Sequence, residues 1–225
     1  MGNLTKNAPK CMTEVSPGKT ILSRQLDQIA AAGIKNVVIT TGAFDTIIKE
    51  YCNSAGLPLT YIFAHNPLYA ETNYIYSIYL SREYLNGDVL MMHGDLVFDD
   101  EVLELVINSE ESCMAVCSEA PLPEKDFKAV VDNGRIIKVG IEFFEHAIAA
   151  QPLYKLLSCD LKHWLERITH FCEIGNTDCY AENALNEITE KINLRPLDIK
   201  NRLFAEIDTV QDLETVSFAL RNNTL

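Results

Sequence analysis

The sequence has no uninterrupted apolar run near the ~20 residues that a membrane-spanning helix needs. Its first ten residues also contain no apolar stretch of the kind that a secretory signal peptide carries. Its seven cysteines include no CxxC pair, and the two closest, Cys113 and Cys117, are too widely spaced for a typical zinc motif or disulfide framework. We therefore expect a cytoplasmic protein without a membrane span, with reduced cysteines.

Basic residues are also scarce. The chain has 19 lysines and arginines against 32 aspartates and glutamates, which gives a formal net charge of -13. Nucleic-acid-binding proteins need a basic surface to neutralise phosphates, so this balance argues against that class of partner. An acidic protein can still bind a single nucleotide in a local pocket that contains a metal ion.

Helical and strand patterns alternate along the first half of the chain. Single helices between short apolar strands predict parallel pairing through right-handed crossovers. The predicted helices are 19–32, 43–55, 75–85 and 99–109, and the predicted strands are 36–40, 59–63, 88–92 and 113–116. We expect the strands at 36–40 and 88–92 to be buried, because they are short apolar runs.

The second half adds an antiparallel element. Asn133-Gly134 separates two strand-like runs, 127–131 and 135–139, and suits the type I′ turn of a hairpin. Helices are predicted around 161–168, 180–191 and 213–220, with short strands at 194–198 and 203–207. Without a repeat or linker, the sequence predicts one domain over residues 1–225. We expect a doubly wound α/β fold with a mainly parallel, mixed sheet and an antiparallel hairpin insertion.

Two aspartates follow apolar strands. Asp95 ends the segment His93-Gly94-Asp95, and Asp208 follows the strand at 203–207. Ligands of open α/β sheets bind beyond the carboxyl ends of the strands, and Mg²⁺ is held by one or two carboxylates plus phosphate oxygens. Gly94 would let a ligand approach the backbone closely. Lys10, in a separate segment before the first helix, would add a positive charge.

Each of these residues also has a simpler interpretation. Asp208 could cap a helix that begins at Thr209, because aspartate is a common N-cap. Lys10 could be a solvated lysine, and His93 could be a packed, hydrogen-bonded histidine rather than a base. Residue patterns alone leave these alternatives open.

Taken in order, the segments resemble the sugar-phosphate and choline-phosphate nucleotidyltransferases, and the resemblance covers nearly the whole chain. The motifs that carry the resemblance are Leu4-Thr5 with Pro9-Lys10, Gln25-Leu26, Ala32-Gly33-Ile34, Val37 to Gly42, His93-Gly94-Asp95, Asn133 to Ile136, and Glu206 to Leu213. The segment from Asn66 to Leu80 resembles bacterial choline-phosphate cytidylyltransferases in particular.

The resemblance implies a nucleotide-diphospho-sugar transferase-like fold and a magnesium-dependent transfer. CMP would pass from CTP to phosphocholine or a similar small phosphorylated alcohol, with release of pyrophosphate. Asp95 and Asp208 would hold Mg²⁺, and Lys10 would bind phosphate as a point charge. A sugar 1-phosphate acceptor is the alternative within this class.

Other residues are assigned to the substrates by the same resemblance. Thr41, Gly42, Asn73 and Ser77, together with Lys10 and Gly94, are candidates for binding the nucleotide. Asn73 is equally suited to cap the helix that begins at Tyr74.

The acceptor has its own candidates. Lys128 would meet the acceptor phosphate or else be a solvated hairpin lysine. Tyr76 would contact the acceptor. Glu182 would neutralise an amine or position a hydroxyl, and it could equally be an exposed helix residue. The aromatic residues considered for a quaternary ammonium cage are Tyr69, Tyr74, Tyr76, Phe143 and Phe144, which could instead belong to the core.

In the family, a central strand and a glycine-rich, triphosphate-binding loop precede the Leu-Thr motif. Met1-Gly2 of this chain resembles the residues just after that loop. We expect the missing segment to be encoded upstream of Met1, with a truncated product as the alternative, and we expect little or no transferase activity from the chain as given. A non-catalytic nucleotide-binding module is the alternative from another functional class. Loss of that strand would expose apolar strand edges, which favours self-association as a homodimer.

Overall fold

The computed structural model describes residues 5–222, so Met1, Gly2 and Leu4 of the predicted motifs lie outside the described residues. The helices are α1 (Ile21–Ala31), α2 (Asp45–Ser54), α3 (Tyr74–Ser81), α4 (Asp100–Asn108), α5 (Ser158–Glu173), α6 (Ala181–Leu185) and α7 (Val210–Asn222). The strands are β1 (Glu14–Ser16), β2 (Lys19–Thr20), β3 (Asn36–Thr41), β4 (Thr60–His65), β5 (Val89–Met92), β6 (Leu96–Phe98), β7 (Cys113–Cys117), β8 (Lys128–Asp132), β9 (Arg135–Gly140), β10 (Ala147–Leu156), β11 (Arg195–Asp198) and β12 (Phe204–Glu206).

The largest sheet in the described part of the chain is mixed. Its strand order is β11-β7-β10-β8-β9, and β5 pairs with a different segment of β10 from the one that pairs with β8. The α/β class and the mixed sheet are confirmed. Parallel ladders join β3 to β4 and β7 to β11, whereas the other ladders of the described residues are antiparallel. Antiparallel pairing thus extends well beyond the predicted hairpin, because β10 runs against β5, β7 and β8.

Helices pack on both faces of this sheet. Successive strand residues point to opposite faces. Tyr154 of β10 packs in a cluster that includes Trp164 of α5, and its neighbour Leu153 packs in another cluster with Val102 of α4. The doubly wound arrangement predicted from the alternating pattern is therefore present around β10.

Local sequence explains how α1 begins and ends. The Thr20 side chain accepts a hydrogen bond from the Ser23 backbone N–H, and the Thr20 backbone N–H donates to Ser23 Oγ, which forms a capping box. Leu22 and Leu26 lie on the buried face. Gly33 follows the helix with a φ of 77°, a left-handed conformation that glycine adopts without strain.

The hairpin turn is confirmed, since Asn133 and Gly134 both have positive φ, at 49° and 72°. The helix predicted over 180–191 is wrong in length, because α6 ends at Leu185 and turns follow it. β10 was not predicted, because its alanines favour helix and proline argues against an interior strand. Pro152 lies between the β8 pairing, which ends at Ala149, and the β5 pairing, which begins at Leu153.

Two strands are less buried than predicted. Val37, Val38 and Ile39 of β3 are only half-buried, as are all four residues of β5. Within residues 5–222, β3 has β4 as its one strand neighbour, and β5 has β10. The prediction of buried strands at 36–40 and 88–92 is therefore wrong for the described part of the chain.

Across residues 5–222, no helix combines the length and apolar character that crossing a membrane requires.

Candidate active site

Strand pairing brings Asp95 and Asp208 to the same place, although they are far apart in the sequence. Asp95 lies in the turn between β5 and β6, and Asp208 follows β12. β12 pairs antiparallel with β6, with Glu206 opposite Leu96. The pairing continues past the strand ends, because the Ile207 backbone N–H donates to the Asp95 carbonyl at 3.1 Å.

Lys10 links the two carboxylates. Its Nζ donates to Asp95 Oδ2 at 2.7 Å and also to Asp208 Oδ1. Burial disfavours the charged ammonium, but Asp95 and Asp208 outweigh it, so the pKa of Lys10 is raised. The structure therefore brings together the three residues that the sequence assigned to catalysis, and Lys10 is paired rather than simply solvated.

Asp208 does not cap the last helix. The Asp212 backbone N–H donates to Thr209 Oγ1 at 3.1 Å, and the Asp212 carboxylate accepts from the backbone N–H groups of Thr209 and Asp208. Thr209 and Asp212 thus form the cap of α7, which begins at Val210. The alternative of Asp208 as a helix cap is wrong, and its carboxylate faces Lys10 instead.

Further carboxylates surround this pair. Ligand atoms of His93, Asp95 and Glu206 lie within 4.8 Å of one another, as do those of Asp126, Glu206 and Asp208. Asp95 Oδ1 is buried and has no hydrogen-bond partner in the described part of the chain. A buried carboxylate oxygen without a donor is costly. These oxygen ligands fit a hard divalent cation such as Mg²⁺. We refer to Asp95, Asp126, Glu206 and Asp208 as the carboxylate cluster.

Glu206 and His93 form a pair beside the cluster. His93 Nδ1 lies 3.2 Å from Glu206 Oε1. Burial raises the pKa of Glu206, and the hydrogen bond from His93 only partly opposes that shift. His93 is therefore a half-buried, hydrogen-bonded histidine, as its simpler interpretation proposed.

A glutamine that sequence reasoning did not assign to the site holds the Asp95 turn. Gln25 of α1 is buried, and its Nε2 donates to the His93 and Leu96 carbonyls, both at 2.9 Å. The position of Gln25 in the sequence is the signal that could have revealed this role. Gln25 lies between Leu22 and Leu26 on the apolar face of α1, where a glutamine must find internal partners.

The predicted nucleotide-binding residues are joined through Asn66, which the sequence did not single out. Asn66 is 1% exposed, and its Nδ2 donates to Ser77 Oγ and Thr72 Oγ1, both at 3.1 Å. Its backbone N–H donates to the Thr41 carbonyl at 2.8 Å. Thr41 and Ser77 are therefore brought together, with Asn66 between them.

Gly42, Asn73 and Gly94 have different surroundings. A Cβ at Gly42 would lie 2.9 Å from Tyr69 Cγ, so close packing alone accounts for that glycine. A Cβ at Gly94 would meet only Cys11, at 3.8 Å, so protein packing does not require glycine there. Asn73 caps α3, because its Oδ1 accepts from the Tyr74 N–H at 2.8 Å.

Three residues predicted to bind the acceptor are buried or packed in the core. Lys128 is fully buried and Glu182 is 1% exposed, so the interpretations of a solvated hairpin lysine and an exposed helix glutamate are wrong. Glu182 accepts hydrogen bonds from the Tyr74 hydroxyl and, at 2.7 Å, from the Tyr154 hydroxyl. Its burial raises its pKa to about 8. Tyr76 is partly buried against the core, where its ring stacks on Tyr79.

The predicted aromatic cage does not form as a unit in the described part of the chain. The ring cluster beside the carboxylates consists of Tyr74, His93, Phe127 and Tyr180, which we call the aromatic cluster. Tyr74 lies 4.6 Å from His93 and 6.1 Å from Tyr180, and Phe127 lies 5.2 Å from Tyr180, measured between ring centroids. Of the five predicted residues, only Tyr74 belongs to this cluster.

A cavity of about 350 Å³ lies elsewhere, lined by residues that include Cys117, Gln151, Lys200 and Phe204. It contains none of the predicted site residues. We place the site at the carboxylate cluster, because that is where the chemically suited side chains converge.

No family model matches the chain. Among curated proteins, it is 33% identical over 124 residues to a CMP-5'-(3-aminopropyl)phosphonate synthase from Streptomyces rubellomurinus, a match that covers 54% of this chain and only 19% of that relative. It is 24% identical to a CTP:phosphoglutamine cytidylyltransferase from Campylobacter jejuni, over 94% of this chain and 92% of the relative. It is 23% identical to a choline-phosphate cytidylyltransferase from Streptococcus pneumoniae, over 97% of this chain and 92% of the relative.

Solved structures show the same fold. The inositol-1-phosphate CTP transferase of T. maritima superposes with a TM-score of 0.78 at 20% identity, over 95% of this chain and 88% of that one. The CTP:phosphocholine cytidylyltransferase of Streptococcus pneumoniae superposes with a TM-score of 0.74 at 16% identity, over 98% of this chain and 93% of that one. With the motif order and the convergence of Lys10, Asp95 and Asp208, these comparisons show that the chain has the fold of the sugar-phosphate and choline-phosphate nucleotidyltransferases and is similar to cytidylyltransferases over nearly its whole length.

Proposed function

We propose that the protein transfers CMP from CTP to phosphocholine or a similar small phosphorylated alcohol, in a magnesium-dependent reaction. The convergence of Lys10 with Asp95 and Asp208 from three distant segments is the observation that carries this proposal. An acceptor phosphate oxygen forms a bond to the α-phosphorus of CTP. The bond from that phosphorus to the bridging oxygen breaks, and pyrophosphate leaves. No covalent enzyme intermediate is needed.

In this proposal, Asp95 and Asp208 hold the magnesium ion, which supplies charge neutralisation for the phosphates when it is bound. Lys10 exchanges at least one carboxylate partner for a phosphate oxygen, and it stabilises the charge that develops there. Gln25 keeps the Asp95 turn in place through two backbone carbonyls. Thr41, Gly42, Asn73, Ser77 and Gly94 remain our candidates for binding the nucleotide.

The acceptor would lie near the aromatic cluster. Aromatic faces attract ammonium groups, and Glu206 and Asp126 add carboxylates nearby. A cationic amino-alcohol phosphate suits this combination better than a neutral sugar does. The names of two relatives contain choline phosphate and a (3-aminopropyl)phosphonate, and both of these groups carry a cationic nitrogen.

Glu182 is poorly suited to neutralise that cation directly. Burial raises its pKa to about 8, so the protonated, neutral carboxyl predominates at pH 7. Glu182 instead positions the Tyr74 ring through the hydroxyl that it binds. Tyr76, which packs against the core and stacks on Tyr79, would act on the acceptor site indirectly, through that packing. A cytoplasmic location and a homodimer remain predictions from the sequence.

The test measures nucleotide binding by thermal shift and transfer by pyrophosphate release. CTP and UTP are compared, each with and without Mg²⁺, and the acceptors are phosphocholine, 3-aminopropylphosphonate and glucose 1-phosphate. We expect a Mg²⁺-dependent stabilisation by CTP, because a ligand that binds the folded state raises its stability. Any transfer should be fastest with CTP and a cationic acceptor.

Substitutions in the carboxylate cluster test whether CTP binding and transfer depend on this site. Asp95→Asn and Asp208→Asn should remove the Mg²⁺-dependent CTP shift and lower any transfer by roughly 10²–10³-fold. Asp132→Asn is the matched control, since Asp132 also ends a strand but is exposed and bonded to Asn133. Metal-independent CTP binding that survives Asp95→Asn would refute the proposal. Preference for UTP with glucose 1-phosphate would favour the sugar alternative. A CTP-induced shift that does not require Mg²⁺ would favour a non-catalytic nucleotide-binding module.

A further inference from the structure

Lys128 is buried in an unusual setting for a lysine. It is the first residue of β8, where it pairs with Ala149 of β10, and none of its surface is exposed. Its Nζ donates to the Pro123 carbonyl at 2.6 Å and to the Asp126 carbonyl at 3.0 Å. The ammonium also lies 4.3 Å from the centroid of the Phe144 ring. Two of the three N–H groups of the ammonium therefore donate hydrogen bonds to carbonyls of the loop that precedes β8.

Burying an ammonium is costly unless its donors are paired, and burial accordingly lowers the pKa of Lys128. Its hydrogen-bond partners are backbone carbonyls rather than carboxylates. These contacts fix the end of the loop over residues 118–127, which has no regular secondary structure. Lys128 therefore restrains a loop that has no helix or strand of its own to hold it in place.

The restrained loop carries Asp126 into the carboxylate cluster. A carboxylate oxygen of Asp126 lies within 4.8 Å of those of Glu206 and Asp208. Asp126 is half-buried beside Glu206 and Asp208, and carboxylates this close repel one another. Repulsion thus favours movement of the Asp126 carboxylate out to water. A restraint on its backbone is needed to keep it in the cluster.

We propose that Lys128 is a positioning residue that holds Asp126 in the carboxylate cluster, where Asp126 supplies an additional oxygen ligand to the divalent cation. This inference rests on the proposed function, because it takes the cluster as the cation site. It replaces the predicted contact between Lys128 and the acceptor phosphate. Lys128 acts on the cation through the loop, without touching a substrate.

The test is a Mn²⁺ titration of the full chain without nucleotide, in which free Mn²⁺ is followed by its electron paramagnetic resonance signal. Lys128→Met keeps most of the side-chain volume and removes the ammonium. We expect the Kd for Mn²⁺ to rise roughly tenfold, the size of effect typical of residues that orient metal ligands. Lys155→Met is the matched control.

Lys155 lies on β10, and its Nζ also donates to two backbone carbonyls, those of Ile107 and Ser109, at 2.7 Å and 2.5 Å. Lys155 pairs with Leu90 and Cys113, beyond the segment of β10 that pairs with β8. Its replacement should lower stability and leave the Mn²⁺ affinity unchanged.

A double-mutant cycle tests whether Lys128 affects Mn²⁺ binding through Asp126. Asp126→Asn alone should weaken Mn²⁺ binding to a similar degree, and Lys128→Met should add no further loss in that background, because both changes remove the same ligand. Independent, multiplicative losses would overturn the inference, as would an unchanged Kd in Lys128→Met. If Lys128→Met does not fold, Phe144→Leu replaces it, since Phe144 is 52% exposed. Phe144→Leu should raise the Kd in the same direction, and no change would overturn the inference.

A comparison of Mn²⁺ binding with nucleotide binding and transfer distinguishes a failure of this inference from a failure of the proposed function. Mn²⁺ binding that depends on Lys128, in a protein whose CTP binding needs no metal and survives Asp95→Asn, would support the positioning role and refute the proposed function. Transfer that proceeds normally in Lys128→Met, with an unchanged Kd, would refute only the positioning role. Absence of Mn²⁺ binding to the unaltered chain would overturn the inference.

Discussion

Glu182 should make the protein less stable as the pH rises from 5 to 8. Its carboxyl is 1% exposed, and burial raises the folded-state pKa to about 8 from an ordinary value of 4.5. The folded protein therefore binds more protons than the unfolded chain between these two values. Since the folded state must hold a proton that the unfolded state releases, the free energy of unfolding decreases across this window.

The magnitude follows from the two pKa values. Integrating the proton linkage from pH 5 to pH 8 gives a loss of about 3–4 kcal/mol from this carboxyl alone. Glu182→Gln removes the titration while it keeps the shape. A neutral amide can accept from one of the Tyr74 and Tyr154 hydroxyls and donate to the other. The variant should therefore show a much flatter dependence of stability on pH.

Urea unfolding followed by tryptophan fluorescence measures this effect. Trp164 is the only tryptophan in the sequence, and its Nε1 donates to the Ala181 carbonyl at 3.0 Å, next to Glu182. Glu190→Gln, which changes an exposed glutamate, is the control and should retain the slope of the unaltered protein. Equal slopes in Glu182→Gln and the unaltered protein would refute the assignment of the titration to Glu182.

Three further substitutions test the framework of the site. Gln25→Leu should cost about 2–3 kcal/mol by urea unfolding and weaken Mn²⁺ binding in a titration, because the His93 carbonyl loses a buried partner. Gly42→Ala should cost about 1–3 kcal/mol in the same unfolding assay, because its Cβ would overlap Tyr69. Asn66→Ala should lower the midpoint of thermal unfolding by an amount that corresponds to about 2 kcal/mol, and it should weaken any CTP-induced thermal shift.

Each of these predictions has a control variant or an outcome that would contradict it. Gln28→Leu removes bonds to Phe98 and Asp100 rather than to the Asp95 turn, so it should lower stability without a change in Mn²⁺ affinity. Gly94→Ala should cost little stability, because its Cβ has room. Equal losses at the two glycines would contradict the packing argument. An unchanged melting temperature in Asn66→Ala would show that its hydrogen bonds are dispensable.

Local patterns were sufficient to predict most helices and strands, because apolar spacing and turn residues act over short distances. Asp95 and Asp208 were also identifiable, since both follow apolar strands. β10 was missed because its pairing partners, rather than its own alanines and Pro152, determine its conformation. β10 also determines how much of the sheet is antiparallel, so that proportion could not be predicted locally.

The supporting residues of the site were harder to predict because their roles depend on distant partners. Asn66 and Gln25 act through hydrogen bonds to other segments, and a single polar residue has no periodicity to reveal them. For Lys128 and Glu182, the sequence left acceptor binding and an exposed position as alternatives, since charged residues are rarely buried. Tertiary contacts with carbonyls and tyrosine hydroxyls overrode that expectation.

The half-buried strands β3 and β5 affect how this polypeptide should be handled. Each has a single strand neighbour within residues 5–222, and each presents partly exposed apolar side chains. Such edges template the addition of further strands. Concentrated samples should therefore form intermolecular β-structure, and a lysine placed at Val38 or Met91 should delay turbidity when the protein is warmed.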